Sequence, residues 1–176
     1  YNRERMRNGR AIKLLSNISN EEAEILFRIP EIQKAIFDID NTLVPHGAPA
    51  DERSIAFFER LKAIGFEATL LSNNKEERVA MFNEPVGVHM IWKANKPSAK
   101  GYQKAMELMN TDEASTIFVG DQLFTDVWGA KNAKIRSFLV KPMNPKEEIQ
   151  IVLKRRLEAV VLHFYLKKNR MKTKGE

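Results

Sequence analysis

From residue 35 onward, short apolar runs alternate with stretches in which apolar residues recur every three or four positions. The runs at residues 35–38, 67–71, 88–92, 116–119 and 137–140 predict five strands. Between them, the spacing of Ile55, Phe58 and Leu61 predicts a helix over 51–64 that stops at Gly65. Further helices are expected over 75–82, 99–109 and 125–133. Asn74 and Glu77 are placed to form a capping box for the second helix, and Pro97 suits the first turn of the third. Strands alternating with helices in this way imply βαβ units, hence an α/β fold with a three-layer, doubly wound parallel sheet. Such sheets bind ligands beyond the carboxyl ends of the strands, where the strand order reverses.

The polar clusters fall at those ends. The first apolar run ends in Asp38-Ile39-Asp40-Asn41-Thr42. In a regular strand, side chains i and i+2 share a face, so Asp38 and Asp40 would crowd together. Two carboxylates that close repel unless one holds a proton or a cation lies between them. The pair therefore suggests a Mg²⁺-bound nucleophile beside a separate proton carrier; a pair of solvated turn carboxylates is the alternative. Ser72 follows the second strand, where its hydroxyl and nearby backbone N–H groups could donate to phosphoryl oxygens or simply cap a helix. Lys96 brings a positive charge after the third strand. The fourth strand runs into Gly120-Asp121-Gln122-Leu123-Phe124-Thr125-Asp126. There Gly120 is expected to allow an unusual backbone turn, and Asp121 and Asp126 offer hard oxygen ligands.

Composition narrows the chemistry. With 176 residues the chain suits one domain that buries about 70% of its unfolded surface. It contains no cysteine, which excludes disulfides, thiolate metal sites and cysteine nucleophiles, and fits a reducing compartment. No signal pattern opens the sequence, and the apolar run at 159–166 is far short of the ~20 residues that span a bilayer. The expectation is a cytoplasmic protein, at most peripheral at a membrane. The net charge of +6 sits at the ends: residues 146–176 carry nine Lys/Arg against four Asp/Glu, and residues 1–10 carry four against one. Such ends favour anionic membranes or nucleic acid, or serve solubility.

Asp-Ile-Asp-Asn-Thr at 38–42, the Ser72 step, Lys96, and Gly-Asp-x₄-Asp at 120–126 occur in the order of the four motifs of the haloacid dehalogenase (HAD) superfamily. The chain resembles most the YqeG-like phosphatases of subclass IIIA, relatives of mitochondrial phosphatidylglycerophosphate phosphatases. The segments that carry this are Leu-Ser-Asn-Asn-Lys-Glu-Glu-Arg-Val at 71–79, Lys-Ala-Asn-Lys-Pro at 93–97 and Val-Gly-Asp-Gln-Leu-Phe-Thr-Asp-Val at 119–127. The resemblance implies strand order 3-2-1-4-5, counting the five predicted strands. It makes Asp38 the nucleophile that forms an aspartyl-phosphate, and Asp40 the acid and base. Ser72, Asn73 and Lys96 would bind the phosphoryl group, and Asp38, Asp40, Asp121 and Asp126 would hold Mg²⁺, Asp40 through its backbone carbonyl. Asp126 would bind through water or position Lys96, while Thr42 and Asn73 would brace their loops.

About 30 residues separate Asp40 from Ser72 and about 24 separate Ser72 from Lys96, each interval filled by one helix and one strand. The protein is therefore expected to lack a cap domain and to have an open site, suited to a phosphate on something large. A single domain over 1–176 is expected, with its catalytic core at 35–145, a basic amphipathic helix at 146–169 that packs on the core or lies on a membrane, and a tail at 170–176. The favoured activity is hydrolysis of a phosphomonoester, with phosphatidylglycerophosphate and its lipid headgroup as the substrate the resemblance suggests. A phosphatase for nucleic-acid ends or phosphoproteins, and a noncatalytic module for nucleic acid, ribosome or membrane, are the alternatives.

Overall fold

The computed structural model describes residues 13–15 and 31–143. All of these lie in the first of the two units into which the chain divides, Tyr1–Asn144. The expected helix at 146–169, the tail and most of the first 30 residues lie outside the described residues.

The elements are β1 (Lys13–Leu15), β2 (Lys34–Phe37), α1 (Glu52–Ala63), β3 (Glu67–Leu71), α2 (Glu76–Asn83), β4 (His89–Ile91), α3 (Ala99–Leu108), β5 (Thr116–Gly120), a π-helical turn (Leu123–Val127), α4 (Trp128–Asn132) and β6 (Arg136–Val140). All sheet pairs are parallel, in the order β1-β6-β5-β2-β3-β4. The five predicted strands stand in the order 3-2-1-4-5. β1 is a sixth strand, absent from the sequence reading, and it extends the sheet beyond β6.

Alternation along β2 builds the three layers. Phe37 faces one side, where it meets Phe57 and Phe58 of α1 edge-on with ring centroids 5.5 Å away; Leu70, Val79 and Phe82 complete that core. Ile36 faces the other side with Leu71, Tyr102, Met106, Phe118 and Ala130. Both faces are covered, so the strands are apolar throughout rather than alternating. At about 25 cal/mol per Å² of apolar area removed from water, these two cores dominate the stability of the fold.

Local chemistry differs from expectation in three places. α2 has Lys75 at its N-cap with no side-chain cap; Asn74 lies one residue before the cap position, and its Nδ2 donates to Asp40. Pro97 precedes α3 rather than opening it: Ser98 is the N-cap, its hydroxyl accepting from Lys100 N, and its own N–H closes a turn onto Asn95 O at 2.9 Å. The helix expected at 125–133 is split into the π-helical turn and α4. Between Asp40 and Lys96 the chain holds only α1, β3, α2 and β4 with their loops, so no cap domain interrupts the described residues. Among them, no helix is long and apolar enough to cross a membrane.

Candidate active site

β2 ends at Phe37, and Asp38 still donates its N–H to Val119 O on β5 at 2.9 Å. The chain then leaves the strand path. Asn41 adopts φ 62°, a left-handed conformation that asparagine tolerates better than most residues. Its N–H donates to Val44 O at 2.7 Å and closes a tight turn. The turn sends the two carboxylates to different partners, so the crowding of a regular strand does not arise.

Asp38, Asp121 and Asp126 converge. All three are buried, and one carboxylate oxygen from each lies within 4.8 Å of the others. Lys96 Nζ donates to Asp38 Oδ1 at 2.6 Å and to Asp126 Oδ1 at 2.7 Å. Thr42 Oγ1 stands 3.1 Å from Asp38 Oδ2 and 3.2 Å from Asp121 Oδ1, so its single proton serves one of them at a time. Burial pushes the Asp38 carboxyl up to about 6; Lys96 pulls against this, and Asp126 and Asp40 add to it. Burial pulls the other way on Lys96, but the charges of Asp126 and Asp38 outweigh it and hold the ammonium protonated. The Phe118 ring lies beneath that ammonium, 5.6 Å from Nζ to the centroid.

The supporting loops are tied to one another. Asn73 clamps the Lys96 backbone, donating from Nδ2 to Lys96 O at 3.1 Å and accepting from Lys96 N at 2.7 Å. Ser72 is buried at the end of β3, and its Oγ accepts from Asn74 N at 3.2 Å. Gly120 has no unusual φ. It is needed for space, because a Cβ there would lie 2.5 Å from Asp126 Oδ2 and 2.7 Å from the Phe118 ring. In the π-helical turn, Asp126 N and Val127 N both donate to Gln122 O, and Gln122 N donates back to Asp126 Oδ2 at 3.0 Å. The buried Tyr102 hydroxyl reaches Thr125 O and Asp126 O at 3.1 and 3.2 Å, so it supplies a donor to a widened turn. Burial, then the charge of Asp126, pushes the Tyr102 phenol up and keeps it a donor.

Asp40 faces elsewhere. Its Oδ1 accepts from Gly47 N at 2.8 Å and from Arg78 Nη2 at 2.7 Å, and its Oδ2 accepts from Asn74 Nδ2 at 2.5 Å. His46, more than half exposed, lies 3.9 Å from Oδ1. The Asp40 carboxylate is thus turned out of the acidic triad, which leaves Asp38, Asp121 and Asp126 as the carboxylates that fit a metal among the described residues. Three buried carboxylates beside one lysine carry a surplus of negative charge, and their hard oxygens suit a divalent cation.

A HAD-hydrolase-like family model matches residues 93–148. The probable phosphatase YqeG of Bacillus subtilis (strain 168) is 36% identical over 132 residues, covering 74% of this chain and 77% of the relative. The chain belongs to the HAD superfamily, among its YqeG-like phosphatases. A glyceraldehyde 3-phosphate phosphatase of Pyrococcus abyssi is 26% identical over 91 residues, covering 47% of this chain and 38% of that relative. Among solved structures, the cobalt-bound deoxy-D-mannose-octulosonate 8-phosphate phosphatase of Haemophilus influenzae shares the fold, with a TM-score of 0.51, 13% identity, and coverage of 62% of this chain and 68% of that one.

Sequence reasoning missed Arg78, Asn74 and Tyr102 as parts of this HAD site. Arg78 did leave a signal: it lies in the first turn of α2, where the helix dipole disfavours a cation.

Proposed function

We propose that this phosphatase hydrolyses phosphomonoesters in a Mg²⁺-dependent reaction through an aspartyl-phosphate on Asp38. The observation that carries the reading is the placement of Asp38, buried against the Lys96 ammonium with a carboxylate oxygen within 4.8 Å of one from each of Asp121 and Asp126. Asp38, Asp121 and Asp126 would hold the cation, with the Asp40 backbone carbonyl as a further donor. When bound, Mg²⁺ offsets the repulsion between an anionic nucleophile and an anionic phosphoryl group.

In the first step, a carboxylate oxygen of Asp38 forms a bond to phosphorus as the bond to the leaving oxygen breaks, and Asp40 gives that oxygen its proton. In the second, Asp40 takes a proton from water, the water oxygen bonds to phosphorus, and the acyl–phosphate bond breaks to release inorganic phosphate and the Asp38 carboxylate. Lys96 and the Ser72 hydroxyl face the charge that develops on the equatorial oxygens. The Asn73 side chain acts by holding Lys96 in place. Asp126 divides between the cation and Lys96.

The absence of a cap between Asp40 and Lys96 supports a substrate whose phosphate is carried on a large group or a surface. Phosphatidylglycerophosphate, presented by a peripheral contact of a cytoplasmic enzyme with the membrane, is the substrate we favour.

The test is hydrolysis of a simple aryl phosphate and of phosphatidylglycerophosphate with and without Mg²⁺. Asp38→Asn is expected to abolish both activities; undiminished turnover in that variant would end the nucleophile assignment. Turnover of the aryl ester alone would keep the chemistry and reject the lipid.

A further inference from the structure

We infer that Arg78 is a positioning residue for Asp40, fixing which carboxylate oxygen of Asp40 carries the proton. The inference rests on the proposed role of Asp40 as acid and base.

Three observations converge on it. Asp40 Oδ1 already accepts from two donors, Gly47 N at 2.8 Å and Arg78 Nη2 at 2.7 Å, which fills both of its acceptor positions. Among the described residues, Oδ2 accepts from Asn74 Nδ2 alone, at 2.5 Å. One lone pair on the carboxylate therefore remains for a proton, and it is on Oδ2. Arg78 and Gly47 lock Oδ1 and so leave Oδ2 as the oxygen that meets the leaving group and then the water.

Arg78 is also poorly placed for any purpose of its own. Its side chain is only 15% exposed, and its Nε and Nη1 are buried without an acceptor. Burying unmet donors of a guanidinium costs stability, so such a group calls for an explanation outside stability. The helix gives none: α2 begins at Glu76 and its first turn favours the acidic Glu76 and Glu77, whereas Arg78 places a cation against the dipole. Among the described residues, the bond that Arg78 Nη2 makes is to Asp40. Lys96 is no substitute, since its ammonium is taken up by Asp38 and Asp126.

A residue that orients the proton carrier matters most when the leaving oxygen is basic and needs the proton as it departs. The test compares phenyl phosphate with 4-nitrophenyl phosphate, whose leaving oxygen departs readily as an anion. For Arg78→Met, kcat on phenyl phosphate is expected to fall by about tenfold or more, while kcat on the nitrophenyl ester falls by less than about threefold and KM holds for both. Arg78→Lys, which keeps a cation but loses the planar fork, is expected to recover part of the phenyl phosphate rate. Should Arg78→Met fail to fold, Arg78→Gln replaces it in the comparison.

Equal losses on the two esters, or a loss carried by KM alone, would overturn the inference, the second by making Arg78 a substrate contact. Asp40→Asn separates this failure from that of the underlying reading. If Asp40→Asn discriminates between the esters and the Arg78 variants do not, only the role of Arg78 falls. Full turnover of phenyl phosphate by Asp40→Asn would remove the acid–base assignment, and the Arg78 inference with it.

Discussion

The two ends of the sheet are made from the same strands and carry opposite kinds of polarity. At the carboxyl end, Asp38, Asp40, Asp121 and Asp126 are all buried, and among the described residues Lys96 pairs with Asp38 and Asp126 and the half-buried Arg78 with Asp40. At the amino end, Lys34 pairs with the half-exposed Glu67, and Thr111, Asp112 and Ser115 bond one another beside a polar recess. A charge at the amino end can turn to water, whereas each charge at the carboxyl end depends on a particular neighbour. Burial of ions without water is costly unless every one is matched. Among the described residues the carboxyl end brings three buried acids together around one lysine, an arrangement that suits a cation.

The sharpest way to break this contrast is to remove the cation the chain itself supplies. Lys96→Met leaves Asp38 and Asp126 facing each other with no ammonium between them. Turnover is expected to fall by about 10³ or more, and the metal-free protein to lose about 3 kcal/mol or more of stability, since one member of a buried ion network is gone. A steady-state assay and urea unfolding measure the two effects. Turnover within tenfold of wild type would mean that the carboxyl end does not depend on Lys96.

Ser72→Ala removes one donor and no charge. The expected loss is about 10² in kcat, the effect of a single transition-state hydrogen bond. A change of less than twofold would return Ser72 to holding Asn74 N at the start of α2.

Protonation gives a third test, without turnover. Burial raises Asp38 from 3.8 to about 6 in the folded protein. A raised folded value favours the protonated form, so its contribution to stability is complete below pH 3.8 and is lost as pH rises through about 6. Metal-free wild type is therefore expected to lose stability relative to Asp38→Asn between about pH 4 and 7, by no more than about 3 kcal/mol. Mg²⁺ at pH 7 should restore it by binding the folded state. A gap that does not change with pH would place Asp38 in a far wetter setting than the contrast requires.

Most of the sheet was legible in the sequence because its signals are local. Apolar runs bounded by helical spacing located five strands, and the candidate residues Asp38, Ser72 and Asp121 follow strands directly while Lys96 lies in the loop after β4, so all four could be placed at one end before any packing was known. What escaped depends on distant partners. β1 is three residues long and is a strand only through its pairing with β6. The π-helical turn at 123–127 owes its width to Asp126, which bonds Gln122 N and Lys96, and to Tyr102 on another helix. Period-2 reasoning put Asp38 and Asp40 on one face; the left-handed Asn41 turn parts them, and Asn74 and Arg78, more than thirty residues away, receive the second carboxylate. The cap expected of Asn74 failed because the helix starts one residue later than the spacing suggested, with Lys75 at the N-cap and Asn74 turned towards Asp40.

The smallest effect belongs to the amino end, and it is the one that isolates the site. Lys34 opens β2, only four residues before Asp38, so any substitution that disturbed the strand would be felt at Asp38. Its side chain and that of Glu67 are 23% and 38% exposed, and an exposed ion pair is worth roughly 0–1 kcal/mol. Lys34→Met is therefore expected to shift the urea midpoint by less than about 1 kcal/mol equivalent and to leave kcat and KM within about twofold of wild type. The reason is structural: Ala35, Ile36 and Phe37 lie between Lys34 and the site, each fully buried and paired on both sides with β3 and β5. A loss of turnover without a loss of stability would mean that charge at one end of the strand is felt at the other. The reactivity of Asp38 would then depend on the field of the whole sheet rather than on Lys96, Asp121 and Asp126 alone.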